Sequence, residues 1–495
     1  MSLFYKITLC LFAVCTSVRA GLGHSHTQAK PPPPLIILAL PTSRAGVPFS
    51  ANELLLRRTQ GVKAVVLPLS WKQVEPKRGK FDWKSQEQSV AIVRKSKLEW
   101  IASWNVLDRT QLPEWFAGKF GSQYRVCVEH GREGLEQSPW NPLLRQCTGQ
   151  VLGAFGAKYR NALPNTLLLD LPNAPQNSGD EQGHAHSGYW SGDRFAVSNF
   201  QAWLFRRYGG NSPLRDAWGE YRNLTTLTPF VREKAPNLTA WRDMTQWYAD
   251  SQTTWAKFCL QEARKTLPMG RVALRLSLAL ASENAQDILA LIRASAQLGG
   301  AVCFVVPPDE ESLVLLELAY SAAKEANPQC RVLIDNSGSP LSLAVIGKRL
   351  PLEQCAAIVV SASEKRAGIA VPKPEISAIG ERPQQAAVLL PPPCVRQQGL
   401  LSALALLSQK YSCRLVDERT IADGALTGTE TRILILPQRP VLAQNTWERV
   451  AFWLKSGGTV IYHRGEKPRI IEGEDTLPDN VKPIIESHSQ PLVLP

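Results

Sequence analysis

The sequence predicts an α/β chain: a (β/α)₈ barrel over residues 35–380, followed by a smaller α/β unit over 381–466. Three observations carry this expectation. Eight short apolar runs recur between residues 35 and 362, most of them almost uninterrupted by polar side chains, as strands buried on both faces require. Stretches of helical character, such as 287–298 and 311–327, lie between them. Strands alternating with helices make parallel βαβ units, and eight such units close into a barrel.

The elements follow in order. Residues 1–20, MSLFYKITLCLFAVCTSVRA, set Lys6 before an apolar run and end in Val18-Arg19-Ala20, small residues at cleavage spacing, so they read as a signal peptide. The expectation is a secreted or periplasmic chain. No later stretch reaches about eighteen uninterrupted apolar residues, so no membrane span is expected. Residues 21–34, ending in Pro31 to Pro34, form a Pro-rich linker. The barrel runs are LIILAL (35–40), VKAVVLPLSW (62–71), LEWIASWN (98–105), TLLLDLPN (166–173), VALRLSL (272–278), AVCFVVP (301–307), RVLIDNSG (331–338) and AAIVVSA (356–362). Long inserts after the third and fourth runs fall on the face where barrel chemistry sits. A composition shift near 372–393 opens the second unit, in which AAVLLP, CRLVDE, RILILP and GTVIYH alternate with helical patterns over 399–411 and 441–456. Residues 467–495, Pro-rich and polar, read as a tail on the surface.

The net charge is +13, which falls to +11 if residues 1–20, carrying Lys6 and Arg19 and no acid, are removed. The basic residues are scattered, without a helical stripe or zinc-finger spacing, so no nucleic-acid partner is expected. Eight cysteines remain beyond the signal. Cys127 and Cys147 flank one polar segment and form the best disulfide pair, whereas Cys303, Cys330 and Cys355 lie in or beside apolar strands and read as core thiols. No CxxC occurs, and neither a metal nor a cofactor is expected. The spacing of His184 and His186 admits a metal pair, but a solvated loop is the favoured reading.

Twelve of the fourteen tryptophans fall between Trp71 and Trp255. Sugar rings stack their C–H faces on indoles while their hydroxyls need polar neighbours. Trp71, Trp104 and Trp190 terminate strands or lie in the polar insert, so they are the expected cleft-lining rings. Most of the others are packing residues.

After the second run stands Trp71-Lys-Gln-Val-Glu75-Pro76-Lys-Arg-Gly79-Lys-Phe81-Asp82-Trp83. This string resembles the signature W-x-x-x-E-P-x-x-G-x-F-D-[FW] of glycoside hydrolase family 42 β-galactosidases and related clan A barrels, including the β-amylase-like branch. Leu112-Pro113-Glu114-Trp115 resembles their LPxW turn. Tyr208 with Asp216-Ala217-Trp218-Gly219 is similar to their Y…AWG segment. The resemblance spans roughly residues 35–465 as scattered motifs. It implies a TIM barrel acting on or binding a glycan, and a flavodoxin-like second unit similar to the glutaminase-like trimerisation domain, hence a homo-oligomer as an option. That unit has no Gly-x-Cys-x-Gly turn, so glutamine hydrolysis is not expected.

Glycoside hydrolysis needs an acid to protonate the leaving oxygen and a carboxylate to meet the oxocarbenium-like centre. The resemblance puts the acid in an Asn-Glu pair after strand four and the nucleophile, a Glu, after strand seven. Strand four ends Asp170-Leu-Pro-Asn173-Ala174-Pro-Gln176. Alignment on Asn173 leaves Ala174 at the acid position, and a shift by two leaves Gln176 there; neither donates a proton as a general acid. Strand seven ends in Asp335, which is shorter than Glu by roughly 1.5 Å and serves equally as nucleophile or as a turn cap. Asp180 and Glu181 in the insert are replacement acids. Asp170, Asn173 and Gln176 complete the expected saccharide contacts with the three tryptophans. A catalytically degenerate barrel, retained as a glycan-binding or assembly module, is the alternative.

Overall fold

Each apolar run becomes a strand, and the eight strands close a barrel. They are β1 Leu35–Ala39, β2 Val62–Pro68, β3 Glu99–Trp104, β4 Leu167–Asp170, β5 Val272–Ser277, β6 Gly300–Val305, β7 Arg331–Asp335 and β8 Ala357–Ser361. All neighbours pair in parallel, and β1 joins both β2 and β8, which shuts the ring. The computed structural model describes residues 35–39, 50–119, 123–171, 188–219, 223–278, 287–361, 385–392, 400–427, 431–437, 441–463, 469–470, 483–484 and 489–492.

Period-two alternation explains why the runs are apolar throughout. One parity, including Ala64, Ile101, Leu168, Ala273, Ala301, Cys303, Leu333 and Val359, fills the barrel interior. The other, including Val65, Trp100, Leu169, Leu274, Val302, Val332 and Ile358, packs beneath the surrounding helices. Helix Pro142–Lys158 passes the turn that ends helix Leu238–Arg264 so closely that a Cβ on Gly156 would lie 1.8 Å from Thr266 Oγ1.

The inserts after β3 and β4 build a second aromatic core. A hairpin, Tyr124–Val126 with Glu133–Gln137, and helices Arg194–Tyr208 and Asn211–Trp218 gather Trp140, Tyr189, Phe200, Trp218, Trp241 and Trp247. Helix Leu238–Arg264 belongs to both cores: Trp241 to Tyr248 pack into this one, whereas Trp255 to Ala263 pack onto the barrel. The tryptophan-rich half of the sequence is therefore rich in tryptophan to supply packing.

The second unit is a parallel sheet of β9 Gln385–Leu389, β10 Ser412–Val416, β11 Ile433–Leu436, β12 Thr459–His463 and β13 Ser489–Leu492, in the order β10-β9-β11-β12-β13. β13 lies within the segment read from sequence as a tail. One face, with Leu389, Leu434, Trp447 and Leu454, has its own core; the other, with Val388, Leu404 and Ile435, merges into the apolar layer around the barrel.

The cysteines correct one expectation. Cys127 and Cys147 are both thiols rather than a disulfide. Cys147 faces the barrel from helix Pro142–Lys158, while Cys127 sits in the hairpin with its sulfur 3.5 Å from His130 Nδ1, so the two point into different layers. Cys303, Cys330 and Cys355 are buried thiols, as expected. Among the described residues no helix is long and apolar enough to cross a membrane.

Candidate functional site

The carboxyl ends of the strands converge on an acid–base–acid array. Register sets Asp170 of β4 beside Arg275 of β5, and Arg275 beside Cys303 of β6. Asp335 pairs with Val305, two residues further toward the strand ends, so the long Arg275 side chain reaches up to it. Arg275 Nη2 lies 2.5 Å from Asp335 Oδ2, and Nη1 lies 3.7 Å from Asp170 Oδ1. The array is graded in exposure: the Asp335 side chain is 3% exposed, that of Asp170 18% and that of Arg275 27%.

Asp335 also performs the turn role. Its Oδ1 accepts from Ser337 N at 2.9 Å and from Ser337 Oγ at 2.6 Å, closing the chain back over the end of β7. Both carboxylate oxygens are thus engaged. Burial pushes the Asp170 carboxyl above the usual aspartate range, Arg275 opposes this, and Asp335 adds to it. Burial works against the charge of Arg275, but Asp170 and Asp335 together outweigh it and raise its value. The Cys303 thiol, buried and near Asp335, is held well above its ordinary value and stays neutral.

The expected aromatic platform is not open. Trp71 and Trp104 are 1% exposed and Trp190 is 3% exposed, so no ring face is available to a sugar and all three are corrected to packing residues. Trp71 donates Nε1–H to Glu75 Oε2 at 2.7 Å and packs edge-on against Trp115. Trp190 lies over Gly134 in the hairpin, where an added Cβ would approach its ring to 2.8 Å. Trp104 points outward from β3, sharing the parity of Trp100. Asn173, Gln176, Asp180, Glu181, His184 and His186 lie outside the described residues. Of the expected site residues, Asp170 and Asp335 are brought together; Arg275, which joins them, is the residue that sequence reading missed. Its signal was a lone charge inside the apolar run VALRLSL.

The motifs that carried the resemblance hold loops in place. Glu75 is 1% exposed and accepts from Trp71 Nε1 and, at 2.7 Å, from Gly79 N, while its carbonyl takes Trp115 Nε1–H at 2.8 Å. Gly79 adopts φ +71°, which suits glycine. Tyr208 and Trp218 converge on buried Asp243, donating to Oδ2 at 2.5 Å and 2.8 Å, with Arg207 Nε 2.9 Å from Oδ1. Among the described residues no group of three or more His, Cys, Asp or Glu side chains could hold a metal ion.

Fold and site together define an α/β barrel protein with a polar strand-end floor. No family model and no curated protein matches the chain. Solved structures do share the fold. The β-galactosidase from psychrophilic Marinomonas ef1 aligns with a TM-score of 0.61 at 13% identity, over 92% of this chain and 78% of that one. The exo-carrageenase of glycoside hydrolase family 42 from Bacteroides ovatus gives 0.61 at 13% identity, over 92% and 70%. The catalytic domain of β-amylase from Paenibacillus polymyxa gives 0.56 at 14% identity, over 67% and 93%. This chain is similar to all three in fold.

Proposed function

We propose that this chain is an exported carbohydrate-binding barrel that holds a saccharide at its strand ends without cleaving it. The observation that carries the reading is the engagement of Asp335: one oxygen lies against Arg275 and the other takes two hydrogen bonds from Ser337. A nucleophile must present a lone pair to the anomeric carbon, and a general base must reach a water. Asp335 is bonded away from both tasks. What remains accessible, the partly exposed edge of Arg275 and Asp170, offers donors and an acceptor suited to sugar hydroxyls. The glycoside hydrolase fold of the structural neighbours supports a saccharide as the ligand class. The strand order of the second unit, 2-1-3-4-5, supports the flavodoxin-like, glutaminase-like reading and a packing or oligomerisation role for it.

A second reading is hydrolysis with Asp170 as proton donor, favoured by the upward displacement of its carboxyl through burial. Calorimetric titration with galactosides and galacto-oligosaccharides, alongside release of aryl aglycones, separates the two. The binding reading expects heat of binding with no turnover, and weaker binding for Arg275→Met. Turnover that disappears in Asp170→Asn and Asp335→Asn would replace it with the hydrolytic one, and the absence of both binding and turnover would remove both.

A further inference from the structure

The second sheet meets the barrel through a crossed set of charges. Helix Glu418–Ala422 follows β10, and its Arg419 reaches the barrel side, with Nη1 3.3 Å from Asp287 Oδ2 and Nη2 against Asp250 Oδ1. In the opposite sense Arg242, on the long barrel helix, lies 3.0 Å from Glu418 Oε2. Between these contacts runs a shallow, open cleft lined by Asp287, Asp417 and Arg419 together with Pro391 and Pro392. Asp417 caps the helix, accepting from Thr420 N at 2.7 Å.

We propose that this seam is an acid-tightened clasp, in which proton uptake by Asp417, the carboxylate that shares the cleft with Asp287, lets the Arg419–Asp287 pair hold the second sheet more firmly to the barrel. The charges gathered at this seam come from every element packed there: Asp287 and Arg293, at and within the helix after β5, and Arg419 act on Asp417 itself, while Asp250 and Arg242 from helix Leu238–Arg264 pair with Arg419 and Glu418. Four acids thus meet three arginines. Glu418 has Arg242, while Asp250 and Asp287 share Arg419; among the described residues no lysine or arginine stands at ion-pair distance from Asp417. It is the carboxylate left over, and its neutralisation removes the repulsion from Asp287 without disturbing the cap, because a protonated carboxyl still accepts through its carbonyl oxygen.

Burial and the Asp287 carboxylate push Asp417 up to about 6 from its ordinary 3.8. The docked state therefore binds a proton that the undocked chain does not, so docking strengthens as pH falls through this interval, by up to about tenfold per pH unit. Asp287 caps helix Ile288–Ala294, which leads away from the strand bearing Arg275, so the clasp grips the segment that follows the candidate site. The inference is independent of what the barrel mouth binds.

The test is amide hydrogen exchange on the full chain from pH 7.5 to 4.5, corrected for intrinsic rates, with Glu418–Ala422 as reporter. Asp417→Asn keeps a capping oxygen and removes the titration, and Asp417→Ser does the same with a shorter side chain. In the wild type, protection of the reporter should rise several-fold to tenfold per unit as pH drops from 6 to 5. Either variant should be flat across the interval and already protected at pH 7.5. A flat wild-type profile, or a variant that keeps the wild-type slope, overturns the clasp.

Discussion

Arg275 and Asp335 face each other at 2.5 Å across the carboxyl end of the barrel, with Asp170 on the far side of the same guanidinium. Removing the cation leaves two carboxylates in a recess with nothing to balance them. Breaking a buried pair from one side costs about 3–5 kcal/mol. Arg275→Met should therefore lower unfolding stability by about 3 kcal/mol at pH 7 in urea titration, and by less at acid pH, where the raised Asp170 carboxyl is neutral and no longer needs the cation. Asp335→Asn should cost less, since an amide oxygen still accepts from Ser337 N. A loss under about 1 kcal/mol for Arg275→Met would show that the array contributes little to holding the barrel.

Glu75 gives a sharper prediction about the signature string. Both of its oxygens accept: one from Trp71 Nε1, the other from Gly79 N. Glu75→Gln turns one acceptor into a donor facing a donor, and a buried group left without a partner costs about 1–3 kcal/mol. The variant should lose that much stability while its near-UV spectrum changes at the Trp71 and Trp115 pair. An unchanged melting transition would mean that the string matters through some other contact.

The barrel was legible in the sequence because burial on both faces leaves a continuous apolar run, and eight runs admit few other arrangements. Asp335 was legible too, as a polar residue breaking such a run at its end. The tryptophans misled because position at a strand end says nothing about which way a side chain points. Parity does: Trp100, Ala102 and Trp104 face the helices, while Ile101 faces the barrel interior and Ser103 reaches Asp170 there. The same test marks Arg275, which shares the inward parity of Ala273. Trp190 could not be judged locally, since its cover comes from a hairpin over fifty residues earlier in the chain. The clasp at the second sheet was invisible for the same reason: Asp250, Asp287 and Arg419 are brought together only by packing.

Asp170 should leave a signature in the pH dependence of stability. Its carboxyl is raised above 3.8 in the fold, so the folded chain holds a proton that the unfolded chain releases at lower pH. The sign follows: relative to a variant that cannot titrate, the wild type gains stability as pH falls from the raised value toward 3.8, and above that interval it bears the full penalty of an ionised, recessed carboxylate. Asp170→Asn should accordingly be as stable as the wild type or more so at pH 7, and lose that advantage by pH 4. Denaturant midpoints measured for both proteins across this range check it; an advantage that grows on acidification would reverse the assignment.

Gly156 tests the packing of helix Pro142–Lys158 within the layer around the barrel. It lies where helix Pro142–Lys158 passes Thr266, and a methyl group there would sit 1.8 Å from Thr266 Oγ1 and 2.2 Å from its Cβ. Helix propensity alone favours alanine over glycine by about 1 kcal/mol, so an uncrowded site would be stabilised by the change. Overpacking of a close crossing costs about 1–3 kcal/mol and should win here. Gly156→Ala is therefore expected to destabilise, and Thr266→Gly, which clears both clashing atoms, should recover most of the loss in the double variant. Two single losses that simply add would show that the two segments relax apart instead, and that this close approach does not constrain the layer around the barrel.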